Sequence, residues 1–289
     1  MRKNSTACLL LLPFALIVAV VLLSCVFVLI QSLGYIPAFS LRDFSLRHYA
    51  NVFANREFLS SLLVSLRIAL LSAVLAAILG TALCAALVKL RCTRGAMLYA
   101  VRLPILVPHV VVALFTFLLL SQTGIFARIL YALGLISDYT QFPLLLYTEK
   151  YYGVILSYLW KEIPFVAYFS LALMASVSET LGQAAENLGA SPLKSFFSVT
   201  LPLSFPAISN AFLIIFIFAF GGYELPLLLG ATLPKALPVY AYIAYMNPDL
   251  KLRPDAMAVY GVILLLSVAM AALYSLLTGR LLRKLRGEV

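Results

Sequence analysis

The chain has 289 residues, of which 64% are hydrophobic and 11% are charged. Soluble globular proteins are typically about 45–50% apolar and about 25% charged, so this composition argues strongly against a water-soluble enzyme or a DNA-binding domain. The formal net charge is +10, from 21 Lys and Arg against 11 Asp and Glu. In a membrane protein such an excess indicates basic residues retained on the cytoplasmic side, and we expect no nucleic-acid partner.

Six stretches are long and apolar enough to cross a bilayer, which takes about 20 residues in a helix. They lie at about 8–33, 60–88, 98–121, 152–176, 207–230 and 257–280. The first follows Arg2 and Lys3, as a signal peptide would, but its apolar part exceeds the usual h-region of about 7–15 residues and no clear cleavage site follows. We therefore predict an all-α, polytopic membrane protein, with six transmembrane helices in a single domain over residues 1–289.

The distribution of Lys and Arg predicts the orientation of the chain. Six spans leave both termini on the same side, and the basic bias is strongest in short segments beside helix ends on that side, such as residues 89–102. The positive-inside rule then places both termini in the cytoplasm. Four C-terminal residues are expected to hold the last helix at anionic lipid headgroups: Arg280, Arg283, Lys284 and Arg286.

The polar segment between the fourth and fifth spans is patterned rather than a featureless linker. Ser176 and Glu179 have the spacing of a capping box, which predicts a helix start. Gly189 predicts a left-handed helix stop, and Ser191 before a proline predicts a second helix start. The Leu-Pro pair at 201–202 is predicted to end that helix. These signals together predict two short helices and a sharp turn that project into the cytoplasm.

Two interpretations of this segment, residues 176–206, follow from its residues alone. Apolar residues recur at helical spacing along the first short helix: Leu181, Ala184, Ala185 and Leu188. Their face would suit the hydrophobic groove of a partner protein. Alternatively the helix lies on lipid, although interfacial helices have a polar face rich in Lys and Arg, and this segment has only Lys194 against two glutamates. From the residues, both interpretations stay open.

The same segment resembles the EAA loop of permease subunits of binding-protein-dependent ABC importers. The matching residues are Gln183, Ala184, Ala185, Leu188, Gly189, Ala190, Ser191, Leu201 and Pro202. The resemblance implies the type I importer permease fold, in which this loop is a coupling helix seated in a cleft of a cytoplasmic ATPase dimer. Gln183 stands where the family usually has Glu, which keeps the hydrogen bonding and removes the charge.

The resemblance also implies further partners and a class of substrate. A second permease subunit, related or identical, would complete the translocation path, and an extracytoplasmic solute-binding protein would deliver the solute. The Leu-Gly-Ala-Ser sequence at 188–191 is most similar to the branch for spermidine/putrescine, ferric iron, thiamine and phosphonate. Residues 221–226 and 247–250 resemble polyamine-type permeases. A polyamine is therefore the first substrate to expect, with iron, thiamine, phosphonate or another small solute as alternatives.

Motifs for chemistry are missing from the sequence. It contains no G-x-x-x-x-G-K-[ST] phosphate loop, no HExxH and no G-x-S-x-G, so we expect no catalysis and no bound cofactor on this chain. ATP and Mg would bind to the separate ATPase. The four cysteines show no CxxC spacing, which argues against a metal site. The rival hypotheses are an ion-coupled secondary transporter, an intramembrane enzyme and a non-transporting scaffold.

Charged residues inside the predicted spans are Arg67, Lys161, Glu162 and Glu224. Such charges are costly and usually face a cavity or each other. Glu162 lies near the middle of the fourth span beside Trp160, and Glu224 follows Tyr223 and a Gly-Gly pair that predicts a break in the fifth span. We take these two acids and their aromatic neighbours as candidates for the translocation path. The alternatives are a structural ion pair of Glu162 with Arg67 or Lys161, and an ordinary kink at Glu224.

Overall fold

The computed structural model describes the backbone of residues 2–285 and the side chains of residues 10–276, 278 and 279. Within these residues the secondary structure is helical, and the sole β-pairing is an isolated bridge between Ile36 and Leu41. The α-helices are α1 (Arg2–Ser32), α2 (Arg47–Ala54), α3 (Arg56–Lys89), α4 (Ala96–Leu106), α5 (His109–Leu120), α6 (Ile125–Ala132), α7 (Tyr152–Val177), α8 (Gln183–Asn187), α9 (Pro192–Ser195), α10 (Leu201–Gly221), α11 (Glu224–Leu229), α12 (Leu237–Tyr245) and α13 (Arg253–Leu285). The predicted headgroup anchor, Arg280, Arg283, Lys284 and Arg286, lies outside the described side chains.

Six helical stretches in the described part of the chain are long and apolar enough to cross a membrane. They are Leu10–Ser32, Arg56–Lys89, His109–Ala132, Tyr152–Asn187, Pro192–Gly221 and Leu250–Leu276. The prediction of an all-α protein with six membrane helices is therefore confirmed.

The predicted third span, 98–121, is not one helix. α4 ends at Leu106 and α5 begins at His109, and Val107 and Pro108 between them are extended. Proline lacks a backbone N–H and pushes the residue before it out of the helical region, so the helix breaks here instead of bending. The apolar stretch that is long enough to cross runs from His109 to Ala132.

The predicted start and end of the segment 176–206, whose two helical arms and turn we call the hairpin, are also wrong. Ser176 lies inside α7, which continues through a π-helical turn (Ser178–Gly182) into α8, so there is no helix start for it to cap. On the other side, α9 continues through a second π-helical turn (Phe196–Thr200) into α10. Pro202 therefore does not end the helix: it directly follows the π-helical turn, where the regular hydrogen-bond ladder is already interrupted. The non-helical connection between the two arms is therefore only residues 188–191.

The described chain divides by packing into two compact units, the first of which comprises residues 1–59 and 240–268. Polar contacts join its helices: His48 Nδ1 lies 2.5 Å from Asp255 Oδ1, and the hydroxyls of Ser32 and Tyr49 lie 2.7 Å apart. A Cβ on Gly261 would lie 2.5 Å from the Tyr49 hydroxyl, so α13 passes close to α2. By contrast, the most apolar stretch of α1 buries none of its residues.

The second unit comprises residues 60–239 and 269–289, and α7 is its centre. One apolar cluster joins α7 to α3, α4 and α10 through Cys84, Leu87, Leu98, Ala167, Leu171, Met174 and Ile208. Small residues allow close approach: a Cβ on Gly80 of α3 would lie 2.7 Å from the Ile163 carbonyl oxygen of α7. Burial of apolar surface of this kind holds α7 in a fixed register against its neighbours, which positions the polar residues described next.

Candidate functional site

The connection between α8 and α9, residues 188–191, is a tight turn that we call the tip. Gly189 has φ +93°, a left-handed conformation that costs residues with a Cβ about 1–2 kcal/mol. Its N–H donates to the Glu186 carbonyl at 2.9 Å, and the Ala190 N–H donates to the Ala185 carbonyl at 3.0 Å. These bonds satisfy carbonyls at the end of α8, so the helix stops at Gly189 as the sequence predicts.

The second arm of the turn begins at Ser191. Its backbone is extended (φ −65°, ψ 154°) and its side chain accepts a bond from the Lys194 N–H at 3.4 Å, with Pro192 at the first helical position. The arrangement is a helix N-cap followed by a proline whose φ is already helical. The predicted helix start is thus present, and it fixes the direction in which the chain leaves the tip.

The tip and the start of the second arm carry exposed apolar side chains. Leu188 is 90% exposed, Leu193 72% and Phe197 62%. Among the EAA-like residues, Gln183, Ala184, Leu188, Gly189 and Ser191 are exposed, whereas Ala185, Ala190, Leu201 and Pro202 are half-buried. Leu201 packs against the apolar cluster around Cys84 and Leu87, so the Leu-Pro pair lies in the arm of the hairpin and not at its tip. Clustered exposed apolar residues are typical of an interaction surface.

The inner face of the hairpin contains residues that the sequence analysis missed. The Ser195 hydroxyl donates to the Gly182 carbonyl at 2.9 Å, and Thr200 is buried beside them with 3% exposure. In the sequence, only the small size of Gly182, Ser195 and Thr200 hinted at a close contact. Both arms contain a π-helical turn at this level. No periodicity rule based on 3.6 residues per turn predicts such a contact.

Glu162 is deeply buried in α7, with 4% of its surface exposed. Neither of its carboxylate oxygens has a hydrogen-bond partner. The two cations proposed as its partners bind elsewhere: the Arg67 guanidinium donates to the Glu149 carbonyl and the Lys161 ammonium to the Val107 carbonyl. The alternative interpretation, a structural ion pair of Glu162 with Arg67 or Lys161, is therefore wrong.

The two helix breaks, at Pro108 and at Gly222, come together in space. Glu224 is the first residue of α11 and His109 the first of α5, and Glu224 Oε2 lies 3.9 Å from His109 Nδ1. The Glu224 side chain is 48% exposed and that of His109 20%. Both breaks lie at the end of an apolar span, before His109 and after Gly221. A half-accessible charged group beside such a break is typical of residues that line a cavity.

Tyr158 of α7 packs directly against the second break. A Cβ on Gly222 would lie 2.1 Å from the Tyr158 hydroxyl, so only glycine fits there. Of the aromatic path candidates, Trp160 is 41% exposed and Tyr223 is half-buried. Within the described residues, no group of three His, Cys, Asp or Glu side chains is placed to hold a metal ion. We call His109, Tyr158, Glu162 and Glu224 the intramembrane cluster.

Comparison with known proteins identifies a family. Residues 77–287 match the family described as "Binding-protein-dependent transport system inner membrane component". Curated relatives include the ferric transport system permease protein FbpB of Actinobacillus pleuropneumoniae, 27% identical over 51% of this chain and 21% of its own length. Others are a PotC homolog, named as a spermidine/putrescine transport system permease protein, of Mycoplasma genitalium (27% identical, 48% of this chain and 46% of its own length) and the sn-glycerol-3-phosphate transport system permease protein UgpA of Yersinia pestis (29%, 44% and 43%). The matched regions thus span about a fifth to just under half of these relatives.

Solved structures agree on the fold. A chain of the bacterial alginate ABC transporter, in complex with an alginate pentasaccharide-bound periplasmic protein, superposes with a TM-score of 0.75 at 19% identity, covering 93% of this chain and 94% of that one. Another structure of a bacterial ABC transporter for alginate import gives 0.67 at 20% identity, covering 91% and 96%. With the family match over most of its length, this chain belongs to the inner membrane components of binding-protein-dependent transport systems.

Proposed function

We propose that this chain is the transmembrane permease subunit of an ATP-driven ABC importer in a bacterial plasma membrane, with both termini in the cytoplasm. The observation that carries the proposal is the exposed tip, an EAA-like turn with outward apolar side chains between two long membrane helices. An exposed apolar turn on a rigid helical hairpin suits insertion into a groove of a partner. Family membership supports the same conclusion.

The partners follow from this role. The tip would dock in the cleft of a cytoplasmic ABC ATPase dimer, which binds ATP and Mg, because this sequence has no phosphate loop of its own. A second permease subunit, related or identical, would complete the path. A solute-binding protein would deliver the solute from outside; the solved alginate transporter is in complex with a periplasmic protein, which supports an equivalent partner here.

The intramembrane cluster is the proposed part of the path, with Trp160 and Tyr223 beside it. Glu162 has an unpaired carboxyl and Glu224 a half-exposed one. A buried acid without a hydrogen-bond partner and a half-exposed acid beside a helix break favour a cationic solute, so a polyamine is the first candidate. The relatives are named for ferric, spermidine/putrescine and sn-glycerol-3-phosphate transport, which makes an iron complex or an anionic phosphate ester the next candidates to assay.

The test is reconstitution in proteoliposomes with an ABC ATPase, a second permease subunit and a solute-binding protein from the same organism. We expect ATP hydrolysis that rises when the solute-loaded binding protein is added, and solute uptake that depends on ATP. Uptake by this chain alone, driven by an ion gradient and without ATP, would instead establish a secondary transporter and overturn the proposal.

A further inference from the structure

The two arms of the hairpin meet at Gly182, Ser195 and Thr200, which we call the clamp. A Cβ on Gly182 would lie 3.2 Å from Thr200 Oγ1 and 3.4 Å from Ser195 Oγ. Ser195 and Thr200 are 2% and 3% exposed, and the Ser195 hydroxyl donates to the Gly182 carbonyl. The backbone of Gly182 is ordinary helix (φ −62°, ψ −49°). Glycine therefore favours close approach of the arms, because a Cβ would displace the two hydroxyls by a few tenths of an ångström; its backbone conformation does not require glycine.

The clamp sits where both arms depart from α-helical geometry. Gly182 is the last residue of the π-helical turn Ser178–Gly182, and Thr200 is the last of Phe196–Thr200. A π-helical turn inserts extra backbone into a helix, and such turns are frequent at functional sites. They also interrupt the regular ladder, for example where the Leu201 N–H bonds to the Phe196 carbonyl five residues back. Without a cross-contact, each arm would have a natural point of bending here.

The arms lead from the tip straight to the intramembrane cluster. The first continues into α7, which carries Glu162, and the second into α10, which ends at Gly221 beside the break before Glu224. Any displacement of the tip must therefore pass the two π-helical turns before it reaches the path. The fraction of the tip displacement that reaches the path therefore depends on the stiffness of the hairpin at the clamp.

We propose that the clamp makes the tip and both arms move as one rigid body, and that Gly182 is a positioning residue for energy coupling. It touches neither solute nor nucleotide; it transmits motion by keeping the arms in contact. This inference rests on the proposed function, since it assumes that an ATPase moves the tip. It adds a coupling residue that lies outside the EAA-like pattern.

The test uses the complete reconstituted transporter and measures solute molecules imported per ATP hydrolysed. For Gly182→Val we expect the ratio to fall about tenfold, within the usual range of coupling free energies, because the side chain forces the arms apart. The ATPase should still bind, since the tip is unchanged. Gly279→Val is the matched control, because a Cβ at Gly279 meets nothing within 4 Å; its ratio should equal that of the wild type.

A rescue experiment separates the clamp from general damage. Thr200→Ala removes the hydroxyl nearest to the added side chain, so the double variant Gly182→Val/Thr200→Ala should recover to within about threefold of the wild-type ratio, as expected for residues in contact. Ser195→Ala, which loses only the hydrogen bond to the Gly182 carbonyl, should lower the ratio by about two- to fivefold. If Gly182→Val fails to insert in the membrane, Ser195→Ala by itself tests the clamp.

The outcomes distinguish this inference from the proposed function. If the wild-type chain neither binds nor stimulates an ATPase, the proposed function fails and the clamp with it. If the wild type couples and Gly182→Val couples equally well, the clamp alone is overturned. Loss of coupling that Thr200→Ala does not rescue also overturns it, as does an unchanged ratio in Ser195→Ala when Gly182→Val does not fold.

Discussion

The tip and the intramembrane cluster are built in opposite ways. Every hydrogen bond that shapes the tip joins residues no more than five apart in sequence, and its side chains face outward. The cluster draws on α5, α7 and α11, whose residues lie far apart in the chain and meet because two helices break at the same place. Neighbouring residues alone therefore shape the tip, whereas packing between distant helices creates the cluster.

The largest expected effect is at the tip, with Gly189→Asp. The substitution places a charge and an L side chain at a left-handed position whose surroundings are open, so folding should survive while docking does not. We expect ATP-driven uptake to fall about a hundredfold, measured in proteoliposomes beside an assay of membrane insertion. Gly134→Asp is the matched control, since Gly134 also has positive φ (+71°) and open space. Equal uptake in both variants would show that the tip does not dock.

The second effect tests whether the cluster depends on tertiary packing. Gly222→Val places a side chain into the Tyr158 hydroxyl, 2.1 Å from the new Cβ, and overpacking of this kind costs about 1–3 kcal/mol. We expect a lower thermal unfolding temperature in detergent. Tyr158→Phe in the same chain should restore part of the loss, and Gly221→Val, where a Cβ meets nothing within 4 Å, should cause little change. If both glycine variants unfold alike, the Tyr158 contact is not responsible.

The third prediction separates function from stability at Glu162. Because neither carboxylate oxygen has a hydrogen-bond partner, Glu162→Gln should alter the free energy of unfolding by less than about 1 kcal/mol. If the carboxyl faces a cationic solute, uptake should drop about tenfold, since a charged hydrogen bond contributes about 1.5–3 kcal/mol. Polyamine uptake and thermal unfolding of the same preparation provide the two measurements. Unchanged uptake would make Glu162 a packing residue.

The smallest expected effect concerns Asp138, which lies in a loop outside the spans. Like the tip, its turn is held by hydrogen bonds between residues close in sequence. The hydroxyl and then the N–H of Thr140 donate to Asp138 Oδ1, at 2.7 and 2.8 Å, and lower the pKa of that carboxyl. Their contribution is present above the ordinary carboxyl pKa and is lost as pH falls through the lowered value. Thr140→Val should move the pKa back up, as followed by a carboxyl-carbon NMR titration, with uptake unchanged. A change in uptake would contradict a purely local role.

How far prediction from the sequence succeeded depends on the range of the interactions involved. Gly189 and Ser191 act through neighbours, so a left-handed stop and an N-cap could be predicted at those positions. Ser176 has the same cap-like spacing but lies within a continuous helix, because nothing stops α7 before Gly189. Likewise Pro108 breaks a predicted span, whereas the helix continues through Pro202, which directly follows a π-helical turn. Local sequence therefore shows that a residue can cap or break a helix, and the surrounding helix determines whether the residue has that role.

The sequence by itself determined the number of apolar spans, though not the bounds of the third, and the turn at Gly189, because hydropathy and backbone preference are properties of short segments. Tertiary structure alone decided that Glu162 lacks a cationic partner, that Glu224 faces His109 and that Gly182 lies against Ser195 and Thr200. Those pairs depend on the registers in which α5, α7, α10 and α11 pack, and a register is fixed by the combined burial of many side chains. No single stretch of sequence contains that information.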